Sequence, residues 1–157
     1  MTRTSAGLLP FVRGEGGSAH VFLGHMGGPL WTRRPRGWTI VKGEHGPDEQ
    51  PLAAAEREWL EETGAPAPAG DRVPLGEIRQ SGGKRVTAWA IEVGAAADVV
   101  FVESGVFEME WPPRSGRRQS FPELDRAGWH DLDSARELVV AAQTAFLDRL
   151  VELLLGD

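Results

Sequence analysis

The chain has 157 residues, 41% of them hydrophobic, a formal net charge of −6 and no cysteine. That size and apolar content suit one domain with a sizeable core, expected to span residues 1–157. The missing cysteine excludes disulfides and thiolate metal sites, and the acidic balance disfavours binding to nucleic acid polymers. No apolar run is long enough to span a membrane and no segment reads as a signal peptide, so the expected location is cytoplasmic.

In chain order, residues 5–13 and 20–24 read as strands joined by a glycine-rich turn at 14–17. Residues 29–35 read as a loop, and 38–41 as a short extended segment. A helix is expected from Pro51 to about Thr63. Pro51 suits a first turn, where its missing N–H would have no partner anyway. Alanine, leucine and glutamate favour helix through the middle, and Gly64 is a natural stop. The proline-rich 65–71 is a connection. Residues 73–80, 85–93 and 107–111 read as strands, the last ended by Pro112-Pro113. Residues 112–121 read as a long polar loop, and 129–132 as a last short strand. Ser134 or Asp133 would cap a helix from about Ala135, with a bend near 141–143. Residues 143–155 are helical, with Ala142, Phe146, Leu150 and Leu154 on one face. The expected architecture is α/β, a mixed sheet between helices in α/β/α layering.

The chemistry concentrates in residues 43–65, GEHGPDEQPLAAAEREWLEETGA. On a helical wheel Glu58, Glu61 and Glu62 fall within an arc of roughly 100°. Leu52, Ala55 and Trp59 form the adjoining stripe for packing, and Glu56 is expected to face water. Like charges on one face mildly disfavour the helix, and a hard divalent cation would reverse that effect. A solvated acidic face has the same glutamates. Glu49, Arg57 and the bracketing glycines favour the metal site.

Gly43, Glu49, Arg57-Glu58, Glu61-Glu62 and Gly64 together resemble the signature of the Nudix hydrolases. Trp59 departs mildly from it, standing where the family usually has an aliphatic residue. The resemblance implies a mixed sheet between helices and attack by water on a pyrophosphate linkage of a nucleotide derivative. It implies Mg²⁺, or Mn²⁺, as cofactor. Glu58 and Glu62 would be the main metal ligands, Glu61 would share that role, and Gly43 would offer its backbone carbonyl. Arg57 and Glu49 would tie the helix to the preceding loop and orient the carboxylates. A further glutamate from a late loop would serve as ligand or base; Glu123 is the candidate, with Glu103, Glu108 and Glu110 as rivals.

Lys42, directly before Gly43, is the first candidate for phosphate contact, and Lys84 the second. Arg36 and Trp38 complete the candidate substrate contacts. Arg33, Arg34, Arg85, Arg114, Arg117 and Arg118 read chiefly as surface charge. Trp31, Trp38 and Trp111 lie at strand ends or loops, where one of them could stack on a base. Trp59 and Trp89 are expected in the core and Trp129 in packing. The four histidines lack the spacing of a zinc site, with His45 expected exposed in the signature loop.

The stretch 36–49 resembles the entry to the signature in diadenosine tetraphosphate hydrolases. More broadly the chain resembles bacterial predicted nucleoside-triphosphate pyrophosphohydrolases. Three functions follow as expectations: cleavage of a dinucleoside polyphosphate, release of pyrophosphate from a modified nucleoside triphosphate, or nucleotide sensing without turnover. Sensors of this kind usually lose signature glutamates, and all three are present here. The expected partner is a small nucleotide, and a homodimer stays open.

Overall fold

The computed structural model describes residues 3–156; Met1, Thr2 and Asp157, at the ends of the expected domain, lie outside the described residues. Among the described residues, nine strands are interspersed with three α-helices. They are β1 (Thr4–Arg13), β2 (Ala19–Met26), β3 (Trp38–Thr39), β4 (Val41–Glu44), α1 (Pro51–Thr63), β5 (Val73–Arg79) and β6 (Arg85–Glu92). Then follow β7 (Val106–Glu110), β8 (Arg118–Pro122), β9 (Leu124–Asp131), α2 (Leu132–Leu138) and α3 (Thr144–Gly156). A short 3₁₀ turn at Ala141–Gln143 supplies the expected bend before α3.

Strand β1 organises the sheet. One edge runs parallel to β6. The other edge divides: Ser5–Leu8 pairs antiparallel with β4, and Phe11–Arg13 with β2. Strand β2 also carries β3 and β9, and β6 carries β5, giving a mixed seven-stranded sheet. Side chains alternate across β1 as strand geometry requires. Ala6 and Leu8 pack on the face covered by α1, with Ala54, Ala55 and Trp59. Leu9 and Phe11 pack on the other face, with Phe146, Leu147 and Leu150 of α3. The layering is α/β/α, as expected.

Helix α1 is bounded by its punctuation. Pro51 opens it, and Gly64 ends it at φ 76° with its N–H donating to the Leu60 carbonyl. Trp59 is fully buried and its ring meets Phe22 at 5.7 Å. Burying such side chains anchors the helix to the sheet, each contributing on the order of 2–3 kcal/mol. The charged arc of the helix is thereby turned to the cleft beside β4.

Four local expectations are corrected. Within 112–121, Arg118–Pro122 forms β8 and pairs with β7 in a separate hairpin. The last strand starts at Leu124 rather than Trp129, because pairing along β2 extends it. Asp131, rather than Ser134 or Asp133, caps α2 by accepting from the Ser134 N–H at 2.8 Å. Glu56 does not simply face water; Arg72 grips it at 2.7 and 2.9 Å.

Candidate active site

A cavity of about 580 Å³ opens between α1, β4 and the base of the β7–β8 hairpin. Lys42, Gly43 and Glu44 of β4 line it, with Glu58, Glu61 and Glu62 of α1. Gly105 and Glu123 close it from the two feet of the hairpin. Those feet are joined, since the Glu123 N–H donates to the Gly105 carbonyl at 2.8 Å.

The three helix glutamates each offer an oxygen, all within 4.8 Å of one another. Helical spacing accounts for this: Glu58 and Glu62 stand one turn apart and Glu61 lies beside them. Glu58 and Glu62 are buried and Glu61 is exposed. A Cβ placed on Gly43 would overlap the Glu58 carboxyl, so only glycine lets β4 come this close.

Arg57 fixes the cluster from behind. Its guanidinium donates to both Glu49 oxygens, at 2.7 and 2.8 Å. The same group reaches Glu58 at 2.9 Å and Glu61 at 3.1 Å. The Arg57 hydrogen bonds hold the Glu49 carboxyl below its ordinary value. One planar fork thus joins the loop before α1 to two carboxylates of the cluster.

The electrostatics record crowding. Burial pushes the Glu62 carboxyl up to about 8, with Glu123, Glu58 and Glu61 adding repulsion. Glu58 is also raised, by burial first, although its bond to Arg57 pulls the other way. Glu123 is raised by desolvation and lowered by Lys42. Lys42 is held below the usual ammonium range, by burial and then by Lys84; Glu44, Glu58 and Glu123 oppose that shift. Three close carboxylates and a glycine backbone, with no histidine or cysteine among the described residues lining the cavity, make an oxygen set. Such a set fits a hard divalent cation, whose charge would relieve the repulsion recorded at Glu62.

The structure brings together Lys42, Gly43, Glu58, Glu61, Glu62 and Glu123. Lys84 stands near enough to depress Lys42 but does not line the cavity. Arg36 and Trp38 are not brought to it. Arg36 donates to the carbonyls of Arg136 and Val139 at 2.9 and 3.0 Å, tying down the end of α2. Trp38 packs edge-on against the rings of His25 and His130, with Arg126 over its face at 5.3 Å. Both side chains thus have tertiary partners away from the acidic cavity. Glu103, Glu108 and Glu110 do not line the cavity either, and Glu110 accepts from the Gly116 N–H at 3.0 Å. Among the remaining cations, Arg85 lies 3.9 Å from Glu77 and Arg34 lies over Trp31. His45 is half-buried rather than exposed, with Nδ1 2.9 Å from the Gly46 carbonyl. Sequence reading missed Ser5, Glu44, Gly105 and Val106 as lining residues. Only Glu44, adjacent to Gly43, carried a signal.

A helix presenting three glutamates to a sheet strand, backed by an arginine–glutamate clamp, defines an α/β/α protein with a site suited to a hard divalent cation. The NUDIX domain family matches residues 1–150. The chain therefore belongs to the Nudix family and hydrolyses pyrophosphate bonds in nucleotide derivatives. The structure is similar to a C. elegans Ap4A hydrolase in a binary complex, with TM-score 0.63 and 19% identity over 99% of this chain and 100% of that one. It is also similar to a mutT/nudix family protein from Listeria innocua, with TM-score 0.62 and 16% identity over 98% and 94% of the two chains. The NUDIX domain of Shewanella oneidensis NrtR, complexed with ADP ribose, matches at TM-score 0.62 and 13% identity over 98% and 89%. At these identities the likeness is one of fold. No curated protein matches the sequence. Among the described residues, no helix is long and apolar enough to cross a membrane.

Proposed function

We propose that this chain is a Mg²⁺- or Mn²⁺-dependent pyrophosphohydrolase of dinucleoside polyphosphates, diadenosine tetraphosphate being the first substrate to test. The observation that carries the reaction is the convergence of Glu58, Glu61, Glu62, Gly43, Lys42 and Glu123 on one cavity of about 580 Å³. The substrate class is supported by the sequence stretch leading into the signature and by the fold shared with an Ap4A hydrolase.

Glu58 and Glu62 would hold the cation, Glu61 would share it, and the Gly43 carbonyl would complete the protein's contribution. A divalent cation there supplies charge neutralisation of the phosphates and activation of water. Lys42 reaches the phosphate oxygens from β4 and offsets the charge that develops on them. Arg57 and Glu49 keep the carboxylates in place and do not touch substrate. Glu123, on the opposite wall, accepts the proton of the attacking water as its oxygen bonds to phosphorus. The anhydride P–O bond breaks, and the bridging oxygen leaves on the departing nucleotide.

The test is turnover of diadenosine tetraphosphate, ADP-ribose, nucleotide sugars, and normal and oxidised nucleoside triphosphates in Mg²⁺ and in Mn²⁺. Products are resolved by chromatography. ATP and AMP from diadenosine tetraphosphate support the proposal. Pyrophosphate release from a triphosphate moves the substrate to the nucleoside triphosphates. Tight nucleotide binding with no turnover in either metal overturns the proposal in favour of a sensor.

A further inference from the structure

We propose that a second cleft, walled by Trp31 and Phe107, is the nucleobase subsite of this enzyme. This rests on the reading of the acidic cavity as the phosphate site. The cleft has a volume of about 300 Å³ and is lined by Met26, Gly27, Trp31, Phe107 and Glu123. It continues the acidic cavity. Glu123 belongs to both, and the hairpin strand β7 gives Val106 to one and its neighbour Phe107 to the other. A ligand with phosphates beside Lys42 would pass Glu123 and meet the aromatic walls next.

The walls are built and fixed. The Gly27 N–H donates to the Glu123 carbonyl at 2.9 Å, joining the end of β2 to the hairpin foot. Trp31 sits in a turn closed by its own N–H on the Gly28 carbonyl at 3.2 Å. The Arg34 N–H donates back to the Trp31 carbonyl at 3.3 Å, and the Arg34 guanidinium stands 5.5 Å over the indole. The Arg34 guanidinium thus covers the indole, and Trp31 is among the residues that line the cleft. Phe107 packs so close to Gly28 that a Cβ there would lie 2.7 Å from the ring. Phe121 backs Phe107 at 5.9 Å.

The chemistry of these walls selects a planar aromatic ligand. Two flat rings and a polarisable thioether offer faces, and every nucleobase has a π-face to match. The polar groups of the cleft side chains are the Glu123 carboxylate and the Trp31 indole N–H. Recognition is then by stacking, with weak discrimination between bases. Rim packing alone does not account for an open aromatic cleft that shares a wall with the phosphate cavity. The other two loop tryptophans stand elsewhere. Trp38 is packed between two histidine rings, and Trp111 lines neither cavity.

The test compares AMP with ribose 5-phosphate in Mg²⁺ by calorimetry. The two ligands differ by the base alone, and neither carries an anhydride to be cleaved. Wild-type protein is expected to bind AMP about ten-fold more tightly, within the range of base–aromatic stacking. Trp31→Ala and Phe107→Ala are expected to erase that preference, and Trp31→Phe to retain most of it. If Trp31→Ala does not fold, Phe107→Ala decides. An unchanged adenine preference in folded alanine variants overturns the subsite, and with normal turnover it leaves the proposed function standing. Loss of the preference in variants of a protein that hydrolyses nothing supports the subsite while removing the proposed function.

Discussion

Substituting Glu62 by glutamine should stabilise the protein without metal and destroy its response to metal. Glu62 is 9% exposed, and its carboxyl is raised from 4.5 to about 8. Burial is the largest cause, three neighbouring carboxylates add to it, and Lys42 opposes it. The sign follows from linkage. Below about pH 4.5 the group is protonated in folded and unfolded chains alike, and it costs nothing. Between about pH 4.5 and 8 only the folded chain keeps the proton, so stability falls as pH rises. Above about pH 8 the full penalty stands, on the order of 5 kcal/mol for a shift of this size. A neutral amide escapes the charge penalty, but it buries one more donor than the protonated acid, at a cost of about 1–3 kcal/mol if unpaired. The net gain for Glu62→Gln in chelator near pH 9 is then about 2–4 kcal/mol, or roughly 5–15 °C in Tm. The assay is thermal and urea unfolding of both proteins, near pH 5 and near pH 9, in EDTA and in Mg²⁺. Wild type should lose stability on raising the pH in EDTA and recover it in Mg²⁺. The variant should be flatter with pH, more stable than wild type near pH 9 in EDTA, and indifferent to Mg²⁺, with most turnover gone. A variant less stable than wild type near pH 9 in EDTA would refute the reasoning, because it would mean the carboxylate makes a favourable contact as an anion.

Three further perturbations address the same frame. Gly43→Ala should drive a methyl into the Glu58 carboxyl and abolish most Mg²⁺-dependent turnover, at a stability cost of about 1–3 kcal/mol; wild-type kcat/KM would contradict the close approach. Arg57→Lys should lower metal affinity about 10–100-fold, because an ammonium cannot hold both Glu49 oxygens while reaching Glu58 and Glu61; a Mg²⁺ titration of turnover reads this out, and an unchanged midpoint would refute it. Gln143→Ala should cost about 2–4 kcal/mol in urea unfolding with kcat/KM unchanged. Its buried amide accepts from the Ile40 N–H and donates to Thr39 and Gln80, each at 2.9 Å.

What the sequence disclosed follows from where the determining interactions lie. Helix α1 was legible to the residue because Pro51 and Gly64 punctuate it locally. The acidic arc was legible because three glutamates at helical spacing share a face whatever the helix packs against. Strand β8 was not. Arg118, Gln119 and Ser120 show no apolar alternation, since the hairpin is largely exposed and only pairing with β7 makes it a strand. The tertiary contacts of Arg36 and Trp38 were hidden for a related reason. Their partners, Arg136, Val139 and His130, lie about a hundred residues further along the chain. Beside the signature Arg36 and Trp38 read as ligand contacts, and nothing local announces these distant partners. Glu56 likewise meets Arg72 only after the proline-rich connection folds back. Resemblance alone singles out Glu123 among four late glutamates, and the physical reason for its position at the cavity is topological. It follows β8 directly, its own N–H closes the hairpin base on Gly105, and both residues face α1.

The placement of charge explains why the cluster is built on a helix and a strand. A flexible loop would relieve the repulsion among Glu58, Glu61 and Glu62 by moving apart. Helix α1 cannot, because Trp59, Ala54 and Ala55 pin its opposite face into the sheet core. Strand β4 cannot retreat either, since Ser5–Leu8 of β1 holds it through the antiparallel ladder. Arg57 neutralises part of the charge, but it engages Glu58 and Glu61 and leaves Glu62 without a cationic hydrogen-bond partner. The strain of unlike preferences thus collects on one buried carboxylate opposite Lys42 and Glu123. The core supplies the stability that this arrangement costs, and a divalent cation returns it when bound. Affinity for metal and instability without it are then two readings of one arrangement, so the substitutions that most stabilise the metal-free protein should be those that most weaken its metal binding.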